Sequence, residues 1–277
     1  MRLDFSQQNV LITGGSSGIG KATARLLARY GANVYIVARG QNKLDQALEE
    51  IRSQAVGADQ SFAAFSVDVA QYEQIAGLVE RLVEQGWAPD LLVNSAGIAH
   101  PGYFEELPLE VFHRTMDINF FGTLHTIKTV APHMIERRRG HIVNISSMAG
   151  FMGVFGYTAY GASKFAVRGF SDVLRCERKP YGIHVSVVFP PDTDTPQLWA
   201  ENEIKPLETK LISGAVKPMS AEAVALAILR GIRRRRRLIF PGWESGFYYH
   251  MHNVLGPVFA WYFDAAVARA RRQRGVS

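Results

Sequence analysis

The sequence is poor in cysteine, because Cys176 is the one cysteine in 277 residues. A single thiol excludes an internal disulfide framework and a metal site built from several cysteines, and it suits a reducing compartment. We expect Cys176 to be a half-buried residue of a helix. We also expect no secretion leader, since the apolar segment NVLIT begins at residue 9. We therefore expect the mature fold to begin near Met1 and the protein to be cytoplasmic.

The body of the chain lacks an excess of positive charge. The formal net charge is +6, but residues 230–277 contain ten arginines and two acidic residues, so the rest of the chain is slightly acidic. Proteins that bind nucleic acid present a general cationic surface. The sequence therefore argues against a nucleic-acid partner and assigns the basic character to the C-terminal tail.

Short apolar runs alternate with amphipathic helical stretches along most of the chain. The alternation is typical of βαβ units, and strands that are apolar on both faces indicate a parallel sheet covered by helices on each side. The predicted strands are 9–13, 32–38, 61–67, 90–95, 141–146, 183–189 and 237–240. We predict a doubly wound α/β catalytic domain over residues 1–242 and a C-terminal extension over 243–277.

A glycine-rich turn, TGGSSGIG (13–20), joins the first strand to the first helix. Gly14, Gly18 and Gly20 allow the main chain to approach a pyrophosphate, and the helix N-terminus offers unpaired N–H groups. The turn predicts a dinucleotide site.

Two cations follow the second strand, where an acidic residue would bind a ribose 2′-hydroxyl. Arg39 and Lys43 occupy this segment. Because a guanidinium forms charge-assisted bonds with phosphate, we predict NADP(H) as the cofactor. The alternative is two solvated charges at the start of a helix.

The segment YGASK (160–164) places Tyr160 and Lys164 one helical turn apart. An ammonium group near a phenol favours the phenolate, so we expect it to lower the pKa of Tyr160 towards neutrality, as a general acid requires.

The motif order TGGSSGIG, NSAG (94–97), MDINFFG (116–122), NISS (144–147) and YGASK resembles the short-chain dehydrogenase/reductase family. The resemblance covers residue 9 to about residue 240. It implies a Rossmann-type fold with a parallel seven-stranded sheet and a catalytic tetrad of Asn119, Ser147, Tyr160 and Lys164. Ser147 matches the family spacing to Tyr160 better than the adjacent Ser146.

The resemblance also implies roles for these groups. Ser147 and Tyr160 would bind a substrate carbonyl, and Tyr160 would give its proton to the product oxygen. Lys164 would hold the nicotinamide ribose, and Asn119 would seat a water that links Lys164 to solvent. The expected NADP(H) contacts are Gly14, Ser16, Ser17, Gly18, Ile19, Gly20, Arg39, Lys43, Asp68, Val69, Asn94, Ala96, Gly97, Tyr160, Lys164, Pro190, Thr193 and Thr195.

The segment PPDTDTP (190–196) follows the sixth strand. Together with ITGGSSGIGK and GYTAYGASKFAVRGF (156–170), it resembles one branch of the family, the 3-ketodihydrosphingosine reductases. The similarity implies NADPH-dependent reduction of a long-chain 3-ketosphinganine. We expect 190–218 to be a substrate loop in which Thr193 and Thr195 meet the carboxamide. Asp192 and Asp194 would face a substrate ammonium, unless they only cap an Asp/Thr turn.

The tail places an aromatic stretch between arginine clusters. Its polar residues are atypical of a transmembrane helix, so we expect peripheral membrane contact. A dimer-contact helix pair is the alternative, and we expect a homo-oligomer, a dimer or a tetramer. Two further functions stay open: reduction or oxidation of another hydrophobic carbonyl or alcohol (a steroid, a retinoid or an acyl chain), and a non-catalytic dinucleotide-sensing scaffold.

Overall fold

The computed structural model describes residues 3–213 and 217–273. Within them, seven parallel strands form one sheet in the order β3-β2-β1-β4-β5-β6-β9. Two short strands, β7 and β8, pair with each other outside it. The strands are β1 (Asn9–Thr13), β2 (Asn33–Ala38), β3 (Phe62–Ser66), β4 (Leu91–Asn94), β5 (Gly140–Ile145), β6 (Ile183–Val188), β7 (Thr193–Asp194), β8 (Met219–Ser220) and β9 (Leu238–Ile239). The predicted Rossmann-type α/β fold with its seven-stranded parallel sheet is confirmed.

Helices cover both faces of the sheet. They are α1 (Gly18–Arg29), α2 (Gln41–Arg52), α3 (Tyr72–Glu84), α4 (Leu109–Met116), α5 (Gly122–Glu136), α6 (Thr158–Arg178), α7 (Pro196–Ile204), α8 (Leu207–Ser213), α9 (Ala221–Arg233) and α10 (Trp243–Gln273). Helix α10 is kinked at Leu255, whose φ of −120° is not helical.

The alternation of side chains along β1 assigns the two layers. Val10 and Ile12 pack with residues of α1, α2 and α9. Leu11 packs on the opposite face with residues of α3, α5 and α6. Because both faces of the strand are buried, its apolar run is continuous rather than alternating.

The order of strands reverses between β1 and β4, where Thr13 pairs with Asn94. In an open α/β sheet, ligands bind in the crevice at the carboxyl ends of the strands beside such a reversal. The crevice here lies between the glycine turn that follows β1 and the NSAG segment that begins at the end of β4.

The segment 190–218 differs from the loop that the sequence predicted. Its described residues form β7, α7 and α8. Strand β8 begins directly after the segment, at residue 219. Pro196 begins α7 and Pro206 separates it from α8, so the prolines divide the segment into two short helices. Cys176 also differs from its prediction: it lies on α6 as expected, but it is exposed.

The predicted extension begins at the first residue of α10, yet its first turns pack on the body of the protein. Tyr249 is 9% exposed and lies in a cluster with Phe151 and Phe189. Helix α8 packs against α10. Among the described residues, no helix has the length and apolar character needed to cross a bilayer.

Candidate active site

Helix α6 presents Tyr160 and Lys164 on one side. The helix buries a stripe of residues that includes Ala159, Ser163 and Val167, and Lys164 belongs to this stripe with 5% of its surface exposed. The Lys164 Nζ donates a hydrogen bond to the main-chain oxygen of Ile145 at 2.9 Å, and it lies 5.5 Å from the centre of the Tyr160 ring. The end of β5 therefore fixes the position of this ammonium group beside the phenol.

Two adjacent serines follow β5 and have different partners. The Ser147 side chain forms a hydrogen bond with the Tyr160 side chain, and its Oγ accepts from the amide of Ala149 at 3.1 Å. Ser146 is 2% exposed and donates to the main-chain oxygen of Lys164 at 3.0 Å. Ser147 is therefore the serine that faces the phenol, whereas Ser146 holds β5 to α6.

Asn119 lies in a π-helical turn (Asp117–Phe121) between α4 and α5. Its Oδ1 accepts from the amide of Ile98 at 2.8 Å, and its Nδ2 donates to the Ile98 oxygen and to the Ser163 Oγ, both at 2.9 Å. Turns of this kind are frequent at functional sites. The structure thus brings all four residues of the predicted tetrad to one end of the crevice.

Burial shifts the pKa values of the two titratable residues of this site, Tyr160 and Lys164. It lowers the pKa of Lys164 to about 8. It also raises the pKa of Tyr160, as do the carboxylates of Glu201 and Asp192, while the hydrogen bond from Ser147 acts in the opposite direction. The expectation that Lys164 brings the pKa of Tyr160 towards neutrality is therefore wrong for the chain by itself, because desolvation outweighs the nearby ammonium.

The glycine turn forms a cradle that side chains would fill. Gly14 has a φ of +67°, and a Cβ there would lie 2.8 Å from the amide nitrogen of Ala96. A Cβ on Gly20 would collide with the main-chain oxygen of Gly14. Ser17 precedes α1 without a side-chain cap, so the first amides of α1 remain available to an anion. Ser16, Gly18 and Ile19 complete this turn. The cradle fits the pyrophosphate of a dinucleotide.

The two predicted phosphate-binding cations are exposed. Arg39 directly follows β2, and its main-chain oxygen accepts from the Ser66 hydroxyl at 2.9 Å. Lys43 lies in the first turn of α2. In the part of the chain that the structure describes, neither side chain forms an ion pair. Their charges are therefore available to a 2′-phosphate at this end of the crevice.

The NSAG segment divides into two parts. Asn94 is 3% exposed, donates to Asn144 at 2.8 Å and accepts from Thr126 at 2.6 Å. Its side chain therefore joins β4 to β5 and α5, and any cofactor contact of Asn94 is left to its main chain. Ala96 and Gly97 line the crevice floor: the Ala96 amide donates to Thr13 at 3.1 Å, and a Cβ on Gly97 would lie 3.2 Å from the Asn119 Oδ1.

The turn after β3 holds the next two predicted contacts. The Asp68 carboxylate accepts from the amide of Ala70 at 3.0 Å and is partly buried. Val69 is buried beside Gly122 at the start of α5. Asp68 thus has a structural hydrogen bond in addition to its predicted place near the adenine ribose.

The two threonines after the double proline are engaged in turns. Thr193 is 6% exposed and donates to the Pro191 oxygen at 2.8 Å. Thr195 caps α7 by accepting from the amide of Leu198 at 3.3 Å, and its methyl group lies 3.1 Å from the position of a Cβ on Gly18. Pro190 is buried, and its oxygen accepts from the Met148 amide at 3.2 Å. This segment therefore closes the crevice against both the glycine turn and the Ser147 turn.

Helix α7 brings to the site a buried polar group that the sequence did not predict. Glu201 is 7% exposed, and Lys205 is 6% exposed. The Tyr157 hydroxyl donates to Glu201 at 2.5 Å, and the Tyr157 ring lies 5.7 Å from that of Tyr160. A glutamate and a lysine on a short polar helix ordinarily indicate solvent exposure, so the sequence carried no signal for their burial.

The comparisons with known proteins agree with this geometry. Residues 8–205 match the family model described as short chain dehydrogenase. This chain belongs to the short-chain dehydrogenase family. The match extends along the chain from β1 to the end of α7. It therefore includes the glycine turn and all four tetrad residues.

Two curated relatives of this short-chain dehydrogenase have related names. The 3-ketodihydrosphingosine reductase of Bos taurus is 44% identical over 223 residues, which is 80% of this chain and 67% of that protein. The 3-dehydrosphinganine reductase of Danio rerio is 43% identical over 229 residues, which is 82% of this chain and 69% of that protein.

Among solved structures, a short-chain dehydrogenase from Sphingobium yanoikuyae in complex with NADPH is similar, with a TM-score of 0.77 and 29% identity. The alignment covers 91% of this chain and 95% of that one. Levodione reductase also matches, with a TM-score of 0.76 and 25% identity. This short-chain dehydrogenase is therefore an oxidoreductase by family, and the crevice at the β1/β4 reversal is its candidate active site.

Proposed function

We propose that this enzyme uses NADPH to reduce a long-chain ketone, specifically 3-ketodihydrosphingosine to dihydrosphingosine, a step of sphingolipid synthesis. The observation that carries the proposal is the convergence of Ser147, Tyr160 and Lys164 beside the glycine cradle. The substrate is suggested by the named reductases of cattle and zebrafish that share more than 40% of their aligned residues with this chain.

The residues of the crevice fit a phosphorylated dinucleotide. The cradle of Gly14, Gly18 and Gly20 would hold the pyrophosphate at the N-terminus of α1. Arg39 and Lys43 would bind the 2′-phosphate, which NADPH carries and NADH lacks. When bound, NADPH supplies the hydride that the carbonyl carbon accepts.

The chain itself supplies orientation and the proton. Ser147 and Tyr160 donate hydrogen bonds to the carbonyl oxygen, which stabilises negative charge as the C=O π bond breaks. The Tyr160 hydroxyl gives its proton to that oxygen, so the ketone gains a hydride at carbon and a proton at oxygen and becomes an alcohol. General-acid catalysis of this kind contributes roughly 10²–10⁴-fold to the rate.

The tyrosinate left by this step must regain a proton. Lys164, with a pKa of about 8, exchanges protons near neutral pH. The Asn119 side chain forms hydrogen bonds with Ile98 and with Ser163 of α6, so it connects the floor of the site to this helix. We propose that it seats the water through which Lys164 communicates with solvent, while the Lys164 ammonium also holds the nicotinamide ribose.

The surface formed by α7, α8 and α10 suits a hydrophobic substrate that is delivered from a membrane. Exposed apolar side chains project from all three helices: Trp199, Leu207, Leu211, Trp243, Phe247 and Val254. The arginine run 233–237 is exposed, and β9 and then α10 follow it in the chain. Apolar and cationic groups in this arrangement favour contact with an anionic bilayer surface. We propose peripheral membrane contact through this surface on the cytoplasmic side, and a homo-oligomeric state.

The proposed reaction is tested by following NADPH oxidation with 3-ketosphinganine, a steroid ketone and a medium-chain ketone. We expect kcat/KM to be highest for 3-ketosphinganine. A higher kcat/KM for either other ketone would assign the enzyme to another hydrophobic carbonyl.

A further inference from the structure

Glu201 is a buried carboxylate whose hydrogen-bond donors are neutral. Its Oε2 accepts from the Tyr157 hydroxyl at 2.5 Å, and its Oε1 accepts from the Gln197 amide at 2.8 Å. Within the described residues, no lysine, arginine or histidine lies within ion-pair distance of it. A buried carboxylate is costly unless a positive charge compensates it. An ionised carboxylate offers about four acceptor positions, so the two hydrogen bonds leave room for a further donor.

The position of Glu201 relates it to the reacting centre. Tyr157 bridges the two, since its hydroxyl contacts Glu201 and its ring lies 5.7 Å from the ring of Tyr160. The negative charge of Glu201 is felt at the phenol, where it contributes to the raised pKa of Tyr160. A cation bound beside Glu201 would therefore act electrostatically on the phenol that protonates the carbonyl.

The neighbouring acidic residues are less suited to bind a cation. Asp192 lies 3.9 Å from Lys205, whose buried ammonium already compensates its charge. Asp194 is exposed, accepts from the Trp199 indole at 2.7 Å and lines a groove together with Ser17. Of the two aspartates that the sequence suggested, Asp192 is thus close to a lysine, and Asp194 is exposed and hydrogen-bonded to Trp199.

We infer that Glu201 is a specificity-determining residue that binds the ammonium group of an amino-ketone substrate. This inference rests on the proposed function, because 3-ketosphinganine carries an ammonium on the carbon next to its carbonyl. In the complex, the ammonium would donate to the free positions of the Glu201 carboxylate while the carbonyl oxygen accepts from Ser147 and Tyr160. The ammonium would also offset the negative charge at the phenol, so the correct substrate would ease transfer of the Tyr160 proton.

The test compares two ketones of equal chain length, 3-ketosphinganine and 1-hydroxyoctadecan-3-one, which lacks the amino group. Wild type is expected to prefer the amino-ketone in kcat/KM by about 10- to 100-fold, the range of a hydrogen bond to a charged group. Glu201→Gln should lose most of this preference, measured as the ratio of kcat/KM for the two ketones within the same variant. Glu203→Gln, an exposed residue of the same helix, is the matched control and should retain the preference.

The possible outcomes distinguish the ammonium-binding role of Glu201 from the proposed reduction. Equal kcat/KM of wild type for both ketones, or an unchanged preference in Glu201→Gln, would overturn the ammonium role and leave the proposed reduction standing. Failure of wild type to reduce 3-ketosphinganine would overturn both. NADPH affinity and Tm of Glu201→Gln report whether the variant is folded. If it is not folded, wild-type inhibition decides: sphinganine should inhibit more tightly than octadecane-1,3-diol by about 10-fold or more, and equal inhibition would refute the inference.

Discussion

Replacing Lys164 by methionine is expected to abolish turnover and, at pH 7, to make the cofactor-free protein more stable. Burial lowers the pKa of Lys164 from 10.5 to about 8. At 1.36 kcal/mol per unit, holding this ammonium in the folded state costs about 3 kcal/mol. Methionine keeps the length of the side chain without the charge. The lost hydrogen bond to the Ile145 oxygen offsets about 1 kcal/mol of the gain.

The net gain of about 2 kcal/mol corresponds to a rise in Tm of roughly 4–8 °C for a chain of this size. The gain depends on pH in a defined direction. Between pH of about 8 and 10.5 the unfolded chain binds the Lys164 proton and the folded chain does not, so wild-type stability increases with pH across this window. Lys164→Met lacks this increase, and its advantage over wild type should shrink towards pH 10.

The assay is urea unfolding of the cofactor-free protein at pH 7 and at pH 10, because bound NADPH would stabilise the folded state by mass action. Lys128→Met is the matched control, since Lys128 is an exposed lysine of helix α5. It should change the free energy of unfolding by less than about 0.5 kcal/mol at either pH. A Lys164→Met protein that is less stable than wild type at pH 7, or a difference that is independent of pH, would refute the reasoning.

Three further results are expected. Tyr160→Phe should reduce kcat at least about 10²-fold with unchanged NADPH affinity in a fluorescence titration, and near-normal turnover would remove Tyr160 from its role as proton donor. Arg39→Ala should raise the KM for NADPH about 10-fold or more while changing that for NADH little, and an equal effect on both would argue against 2′-phosphate binding. Joint replacement of Trp243, Phe247 and Val254 by serine should reduce flotation with anionic liposomes, and flotation equal to wild type would exclude these side chains as the membrane contact. This variant is preferable to a truncation at Phe240, which would also remove Tyr249 from its cluster with Phe151 and Phe189.

The elements that strong local patterns determine were predictable. The apolar runs gave β1 and β6 to within a residue of their bounds, since a strand buried on both faces must be continuously apolar. The order of the motifs likewise predicted which side chains meet in the crevice, and the structure brings Ser147, Tyr160 and Lys164 together there.

The helices α7 and α8 were not predictable in the same way. Their apolar residues do not repeat with a helical period, and two prolines interrupt the segment, so only tertiary contacts decide its structure. The burial of Glu201 depends on where α7 lies against Tyr157, which no local pattern encodes. The pKa of Tyr160 was missed for a related reason: desolvation is a property of the packed site rather than of the Tyr-x-x-x-Lys spacing.

The π-helical turn Asp117–Phe121 fixes the number of residues that the chain can have between α4 and α5. It connects α4 to α5, and α5 buries Thr126, Val130 and Met134 against the sheet. Removing one residue to restore regular helix would rotate everything beyond it by about 100° about the axis. Either Asn119 would lose its hydrogen bonds to Ile98, or the apolar stripe of α5 would be exposed to solvent. Substitutions at the surface of this turn should therefore be tolerated far better than any insertion or deletion.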